Sequence, residues 1–317
     1  MTETAALPAP HSNLARPVVW LAWGLALAAT AAYSIAPPVA RAAILSGMDP
    51  TTLLMARLVM STALLGGTLL LTARQRVQID RRGLIVCTVA GLSNGVGMLT
   101  FFWALTRIDS SVASMLFALS PLVALGLLAM RGEKFTYRNT FRVGLGTAGV
   151  YLLIGPGGQV DWLGVGLALV SAFTVPFHLI LIQWYLQGYD SRTVTLYMVG
   201  AMTAVVSAWW LVQGAQWNAP GLQGWIYVVV LAVVSTYLAR LAMFVAILGI
   251  GGGQMALLAP LETLLTVIWS GLFLAERLAP LQWAGGSLIL LSAVLAVRRL
   301  RRARQFQTSE VLETSEV

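Results

Sequence analysis

The chain has 317 residues, 58% hydrophobic and only 10% charged, where an ordinary soluble domain carries roughly 25% charged residues. With a mean hydropathy of +0.80, this composition excludes a water-soluble globular enzyme and points to an all-α membrane protein. The net charge of +8 comes from short loops and the end of the last apolar run, so the positive-inside bias accounts for it and no nucleic acid is expected as a partner.

Residues 1–17 are polar and proline-containing and are expected to form a disordered tail. Ten apolar runs follow, at 18–39, 50–71, 83–105, 110–130, 139–155, 161–186, 193–213, 222–247, 252–274 and 279–297. They average close to 20 residues, the length needed to cross a hydrocarbon core of ~30 Å at ~1.5 Å per helical residue. The first run exceeds the ~7–15-residue apolar core of a signal peptide, and it is retained as a span. Cys87, the only cysteine, excludes a disulfide framework or a cysteine-based zinc site within one chain.

Ten spans with the N-terminus in the cytoplasm put Arg16, Arg74, Arg76, Arg81, Arg82, Arg131, Lys134, Arg138, Arg142, Arg192, Arg298, Arg299, Arg301, Arg302 and Arg304 on one side. Only Arg41, Arg107 and Arg277 fall on the other. Fifteen against three places both termini inside. Residues 298–317 form a basic, then acidic, tail expected to be a solvated end.

The two halves come into register at a shift of 142 residues, which makes 18–155 and 161–297 two copies. Gly24-Leu25-Ala26-Leu27 meets Gly166-Leu167-Ala168-Leu169, Phe102 meets Phe244, Leu119 meets Leu261, and Gly144 meets Gly286. Five spans per copy is an odd number, so the second copy enters the membrane inverted. Inverted repeats are a secondary-transporter architecture, in which exchanging the shapes of the halves opens the protein to either face.

Several short motifs mark both halves: Arg57 in LLMARLVM, Ala104-Leu105 before Ser110-Ser111-Val112-Ala113-Ser114, Leu119-Ser120-Pro121, and Gly132-Glu133. In the second half Leu261-Glu262-Thr263 and Ala275-Glu276-Arg277 stand in the equivalent places. In these residues the chain resembles the drug/metabolite transporter superfamily, in particular its ten-span EamA-type exporters, over residues 18–300. Its length and aromatic-rich spans are similar to those of the amino-acid exporter branch, including exporters of aromatic amino acids. The resemblance implies a central cavity bordered by spans 1, 3, 4, 6, 8 and 9, export as the direction, and the bacterial cytoplasmic (inner) membrane as the location. Where the family often reads Glu-Pro, Glu262-Thr263 stands here and the kink moves to Pro260.

Glu262 is the only acid set inside a long apolar run. An intramembrane carboxylate costs at least ~2.5 kcal/mol and persists where it faces a partner or a watery cavity. It can pair a substrate ammonium, relay a proton or pin helices. Arg240, about 10 Å from the cytoplasmic end of its run at helical rise, either snorkels or pairs with Glu262, and the two together would clamp a zwitterion. Arg57 is assigned a structural tie to backbone carbonyls, since span 2 is not expected at the cavity. Asn94, Met98 and Phe102 share a face of span 3, matched by Tyr237, Arg240 and Phe244 on span 8. His178 is a proton carrier or an interhelical tie.

Tyr33, Ser114, Trp103 and Trp269 complete the expected cavity lining. Kinks are expected at Pro37, Pro38, Pro121, Pro176 and Pro260, whose missing N–H groups free carbonyls. A membrane-embedded enzyme is the rival class, but the chain has no His-Glu-x-x-His, Gly-x-Ser-x-Gly or Gly-x-x-x-x-Gly-Lys motif. No metal or other cofactor is expected. The expected partners are the lipid bilayer and a small solute, an amino acid or similar metabolite. Multidrug cargo, proton coupling, a passive uniporter, and monomer or homodimer stay open.

Overall fold

The helices end where acids can stand. Asp80 accepts the Gly83 N–H at 3.0 Å, Asp161 that of Leu163 at 2.8 Å, Asp190 that of Arg192 at 2.9 Å, and Asp49 that of Thr52 at 2.7 Å. Each carboxylate satisfies a helix-initial donor and sets its charge against the positive end of the helix.

The computed structural model describes residues 19–73, 79–129, 137–154, 161–186, 189–214, 217, 221–250, 255 and 258–315, with backbone alone from residue 299 and at a few other positions. The expected tail 1–17, the basic group Arg74/Arg76, Glu133 and Gly252/Gly253 lie outside the described residues, as does the Phe244 side chain. All described elements are helical. In order they are α1 (Val19–Ser34), α2 (Ala36–Leu45), α3 (Pro50–Ala73), α4 (Arg81–Ala104), α5 (Ser110–Phe117), α6 (Ser120–Ala129) and α7 (Tyr137–Ile154). The second half holds α8 (Trp162–Tyr185), α9 (Ser191–Val212), α10 (Leu222–Val229), a π-helical stretch Val230–Leu238, α11 (Ala239–Ile250), α12 (Ala259–Leu274) and α13 (Pro280–Ser315).

Among the described residues, eight helical runs are long and apolar enough to cross a membrane: Val19–Leu45, Pro50–Leu71, Arg81–Ala104, Ser110–Leu127, Trp162–Ile182, Arg192–Val212, Leu222–Ile247 and Pro280–Arg298. The two remaining apolar runs correspond to the less apolar α7 and to α12, whose described helix has 16 residues. The first run reaches Leu45 rather than residue 39, because α2 continues past a single-residue break at Ile35. The C-terminal tail is helical to Ser315, continuous with the last apolar run.

Prolines account for two of the breaks. Pro38 has no N–H to offer the Ser34 carbonyl one turn back, and that oxygen instead accepts the Thr266 hydroxyl of α12 at 3.0 Å. Pro121 likewise frees the Phe117 carbonyl, which takes the Ser120 hydroxyl at 2.6 Å. Pro176 sits inside α8, and Pro260 occupies the first turn of α12.

The helix pairings repeat under exchange of the two halves. Helix α4 packs on α8 as α11 packs on α1, and α6 on α8 as α12 on α1, while α3–α9, α5–α12 and α7–α13 pair equivalent helices directly. Small residues set the closest approaches. A Cβ on Gly91 would lie 2.6 Å from the Met198 carbonyl of α9, and one on Gly285 would lie 2.5 Å from the Leu153 backbone nitrogen of α7. With Gly95, Gly91 forms a Gly-x-x-x-Gly face on α4, a spacing that lets two backbones meet. The equivalent stretch of the second half has no such glycines and carries the π-helix instead.

Candidate functional site

Within the membrane-spanning body, five ionisable or phenolic side chains from five runs are linked through Tyr33 and Arg240. Tyr33, one residue before the end of α1, lies within electrostatic reach of Arg240, Glu262 and Arg57. Arg240 also reaches His178 of α8 and Arg57 of α3. The π-helix ends two residues before Arg240, and wide turns of this kind recur at functional sites.

These groups are poorly partnered. The Arg240 Nε and His178 Nδ1 atoms are buried without a hydrogen-bond partner, as is the Ser114 hydroxyl of α5. Glu262, in the first turn of α12, makes no side-chain hydrogen bond or ion pair with any described residue, and no ion pair joins it to Arg240. Its own N–H and carbonyl are used within the region, by the Leu258 carbonyl at 2.9 Å and the Thr266 hydroxyl at 3.0 Å. Buried polar atoms in native proteins are almost always satisfied, so a cluster of exceptions is informative.

Other residues expected at the cavity are tied to neighbouring helices. Asn94 is buried and its Nδ2 faces the Met202 sulfur of α9 at 3.2 Å. The Tyr237 hydroxyl bonds that of Thr68 at 2.7 Å, which turns it toward α3. Trp103 donates to Thr51 at 3.2 Å, and Trp269 donates to the Ser34 hydroxyl at 3.0 Å while stacking on Phe273. Met98 packs partly buried against the core.

Arg57 corrects an expectation. It is buried, but among the described residues it bonds no backbone carbonyl. Its Nε donates to the Thr236 hydroxyl of the π-helix at 2.9 Å, and its guanidinium carbon sits 5.7 Å over the ring of the buried Phe102. Thr236 can offer its oxygen this way because its own hydroxyl donates to the Leu231 carbonyl five residues back, at 2.8 Å.

A second polar centre lies at the helix ends. Glu276 follows Ala275, the left-handed residue (φ 54°) that ends α12. Its N–H turns back to the Ser270 carbonyl at 3.3 Å, a closure that aims the side chain across to α5. There the carboxylate accepts the N–H groups of Ser110 and Ser111 at 3.0 Å each and their hydroxyls at 2.8 and 2.6 Å. Arg41 pairs with Glu276 at 3.3 Å and with Asp109 at 2.6 Å, and it also donates to the carbonyls of Leu105 and Ile108. Burial and the neighbouring Glu276 push the Asp109 carboxyl pKa up, partly opposed by Arg41. Nearby, Arg107 pairs with Asp161 at 2.8 Å and holds its pKa down.

Sequence reading noted Glu276 only as a family-like mark. A hollow of about 270 Å³ opens beside this centre, lined by Ser111, Val267, Gly271, Glu276, Leu278 and Trp283 among others. None of the residues expected at the cavity lines it. No group of His, Cys, Asp and Glu suited to a metal ion occurs among the described residues.

A two-copy bundle of membrane-length helices, with unpartnered polar groups gathered between the copies, defines the class of polytopic membrane transporters. The chain belongs to the EamA-like transporter family, which matches it twice, at residues 20–155 and 162–298. It is similar to an uncharacterized transporter of Archaeoglobus fulgidus, 21% identical over 213 residues that cover 67% of this chain and 76% of that one. A protein known from a crystal structure aligns with 89% of this chain and 98% of its own at a TM-score of 0.60 and 16% identity, a likeness of fold.

Proposed function

We propose that this transporter exports small organic solutes, foremost amino acids with large neutral or aromatic side chains, across the bacterial cytoplasmic membrane. Ten helical runs cross the bilayer with both termini inside, and the two halves are inverted copies that exchange shapes to give alternating access. The charge asymmetry of the loops and the odd number of runs per copy support this topology.

The observation that carries the reading is the polar group of Tyr33, His178, Arg240 and Glu262 between the halves, in which the Arg240 Nε is buried without a partner and Glu262 makes no side-chain hydrogen bond among the described residues. A fold that leaves a carboxylate and a guanidinium unpaired at membrane depth keeps both free for a ligand. Glu262 then receives an ammonium, Arg240 a carboxylate, and the aromatic residues nearby supply the apolar wall.

The test is flux in liposomes containing the purified chain, with a panel of labelled amino acids, with and without a pH gradient. Saturable flux of large neutral amino acids that is lost in Arg240→Ala supports the reading. Flux of amphiphilic drugs alone transfers the assignment to multidrug export. Amino-acid flux indifferent to the gradient makes the protein a uniporter.

A further inference from the structure

The zwitterion reading above gives each charged end of the solute one protein partner, and it leaves Arg57 out. Arg57 lies on α3, is buried, and belongs to the first half, whereas Arg240 belongs to the second. Guanidinium groups do not lose their proton in proteins, so both stay positive. Arg57 bonds Thr236 at 2.9 Å, and Arg240 follows Thr236 by four residues on the same helical run, about one turn away. Charged side chains at membrane depth face a watery cavity or pair with opposite charge or backbone carbonyls, and an anion is the partner that serves two arginines at once.

Glu262 does not compensate them. It forms no ion pair with either arginine, and Tyr33 stands within reach of all three. Even when ionised, one carboxylate leaves the centre with an excess of one positive charge. Phe102 shields the flat face of Arg57 and Thr236 anchors its Nε, while neither terminal nitrogen bonds to any described residue. One edge of the fork is therefore held and the other is presented. Planar forks of this kind match a carboxylate with two parallel hydrogen bonds.

We propose that Arg57 and Arg240 together bind the carboxylate of the transported solute, one arginine from each half, with Thr236 of the π-helix as the positioning residue for Arg57. This rests on the amino-acid reading for its cargo but not for its chemistry. A solute with a carboxylate and no amine satisfies the two arginines equally well. A solute with an amine and no carboxylate adds positive charge and binds poorly. The π-helix acquires a role here, because its wide turn lets the Thr236 hydroxyl donate five residues back and still accept from Arg57.

The experiment is equilibrium binding to the full chain in nanodiscs. The probes are phenylalanine, 3-phenylpropionate, phenethylamine and inorganic phosphate, and the proteins are wild type, Arg57→Gln, Arg240→Gln, Arg57→Lys and Thr236→Val. Phenylalanine and phenylpropionate are expected to compete for wild type, with phenethylamine failing to displace them. Each Gln variant weakens both acids about tenfold or more, the loss expected for one charge-assisted pair. Arg57→Lys keeps the charge and loses the fork, and Thr236→Val releases its anchor, so both give smaller losses in folded protein.

Acid binding that is unchanged in both Gln variants overturns the proposal, as does phenethylamine binding as tightly as phenylpropionate. If neither acid binds wild type but phosphate does, and the Gln variants lose it, the anion site stands and the amino-acid reading falls. If no anionic probe binds wild type, the proposal is overturned even where flux of another solute is found.

Discussion

Glu262 and Glu276 open and close the same helical segment, and the fold treats them in opposite ways. Glu276, with 5% of its side chain exposed, accepts four hydrogen bonds from Ser110 and Ser111 and pairs with Arg41. Glu262 makes none with its carboxylate among the described residues. One acid is saturated by groups brought from the other half of the chain, and the other is left unspent beside Tyr33. The saturated acid holds helix ends together: it supplies α5 with its N-terminal anion across a gap of more than 160 residues. The unspent acid makes no comparable tie among the described residues, which is the feature the proposed ligand site uses.

Removing Glu276 gives the largest effect. Glu276→Ala strips the α5 N-terminus of its acceptor and leaves Arg41 with Asp109 alone, and it is expected to cost about 1–3 kcal/mol, the range for leaving buried donors unsatisfied. Cys87 is fully buried, so a thiol-reactive dye reports unfolding directly. The midpoint should fall by several degrees, and an unchanged midpoint would show that the α5 cap is dispensable.

Glu262→Gln breaks the comparison from the other side. Neutralising an unpaired acid whose burial costs at least ~2.5 kcal/mol leaves stability equal or higher. Flux of the preferred solute should fall about tenfold or more, since one charge-assisted contact is lost. A midpoint that drops as far as in Glu276→Ala, with flux intact, would make Glu262 a packing tie.

What was legible in the sequence follows the range of the cause. The break in the first run was readable because a proline acts one turn back, on Ser34, and needs no distant partner to do so. Glu262 and Arg240 stood out because a charge inside an apolar run is anomalous wherever it points. Glu276 did not, because acids are ordinary at helix ends and nothing local distinguishes one that reaches Ser110, Ser111 and Arg41. Arg57 was assigned to carbonyls because its true partner, Thr236, lies 179 residues away. The π-helix was invisible: VLAVVSTYL is as apolar as its neighbours and has no glycine or proline to mark a wider turn.

The smallest effect sharpens the saturated side of the comparison. Arg41 serves two carboxylates, Asp109 at 2.6 Å and Glu276 at 3.3 Å, and cannot fully neutralise both. Burial first, and Glu276 second, raise the Asp109 pKa against the pull of Arg41. A raised carboxyl pKa means that the folded protein holds this proton more tightly than the unfolded chain, where Asp titrates near about 3.9. The contribution to stability is therefore complete below that range and is lost as pH rises through the raised value. Acidifying from neutrality toward it should lift the unfolding midpoint of the wild type slightly. The Asp109 side chain is 45% exposed, which keeps the gain far below the loss in Glu276→Ala. Asp109→Asn should flatten this slope, and Glu276→Gln should flatten it in part by removing the neighbouring charge. An Asp109→Asn protein whose midpoint still climbs as steeply would place the titrating group elsewhere.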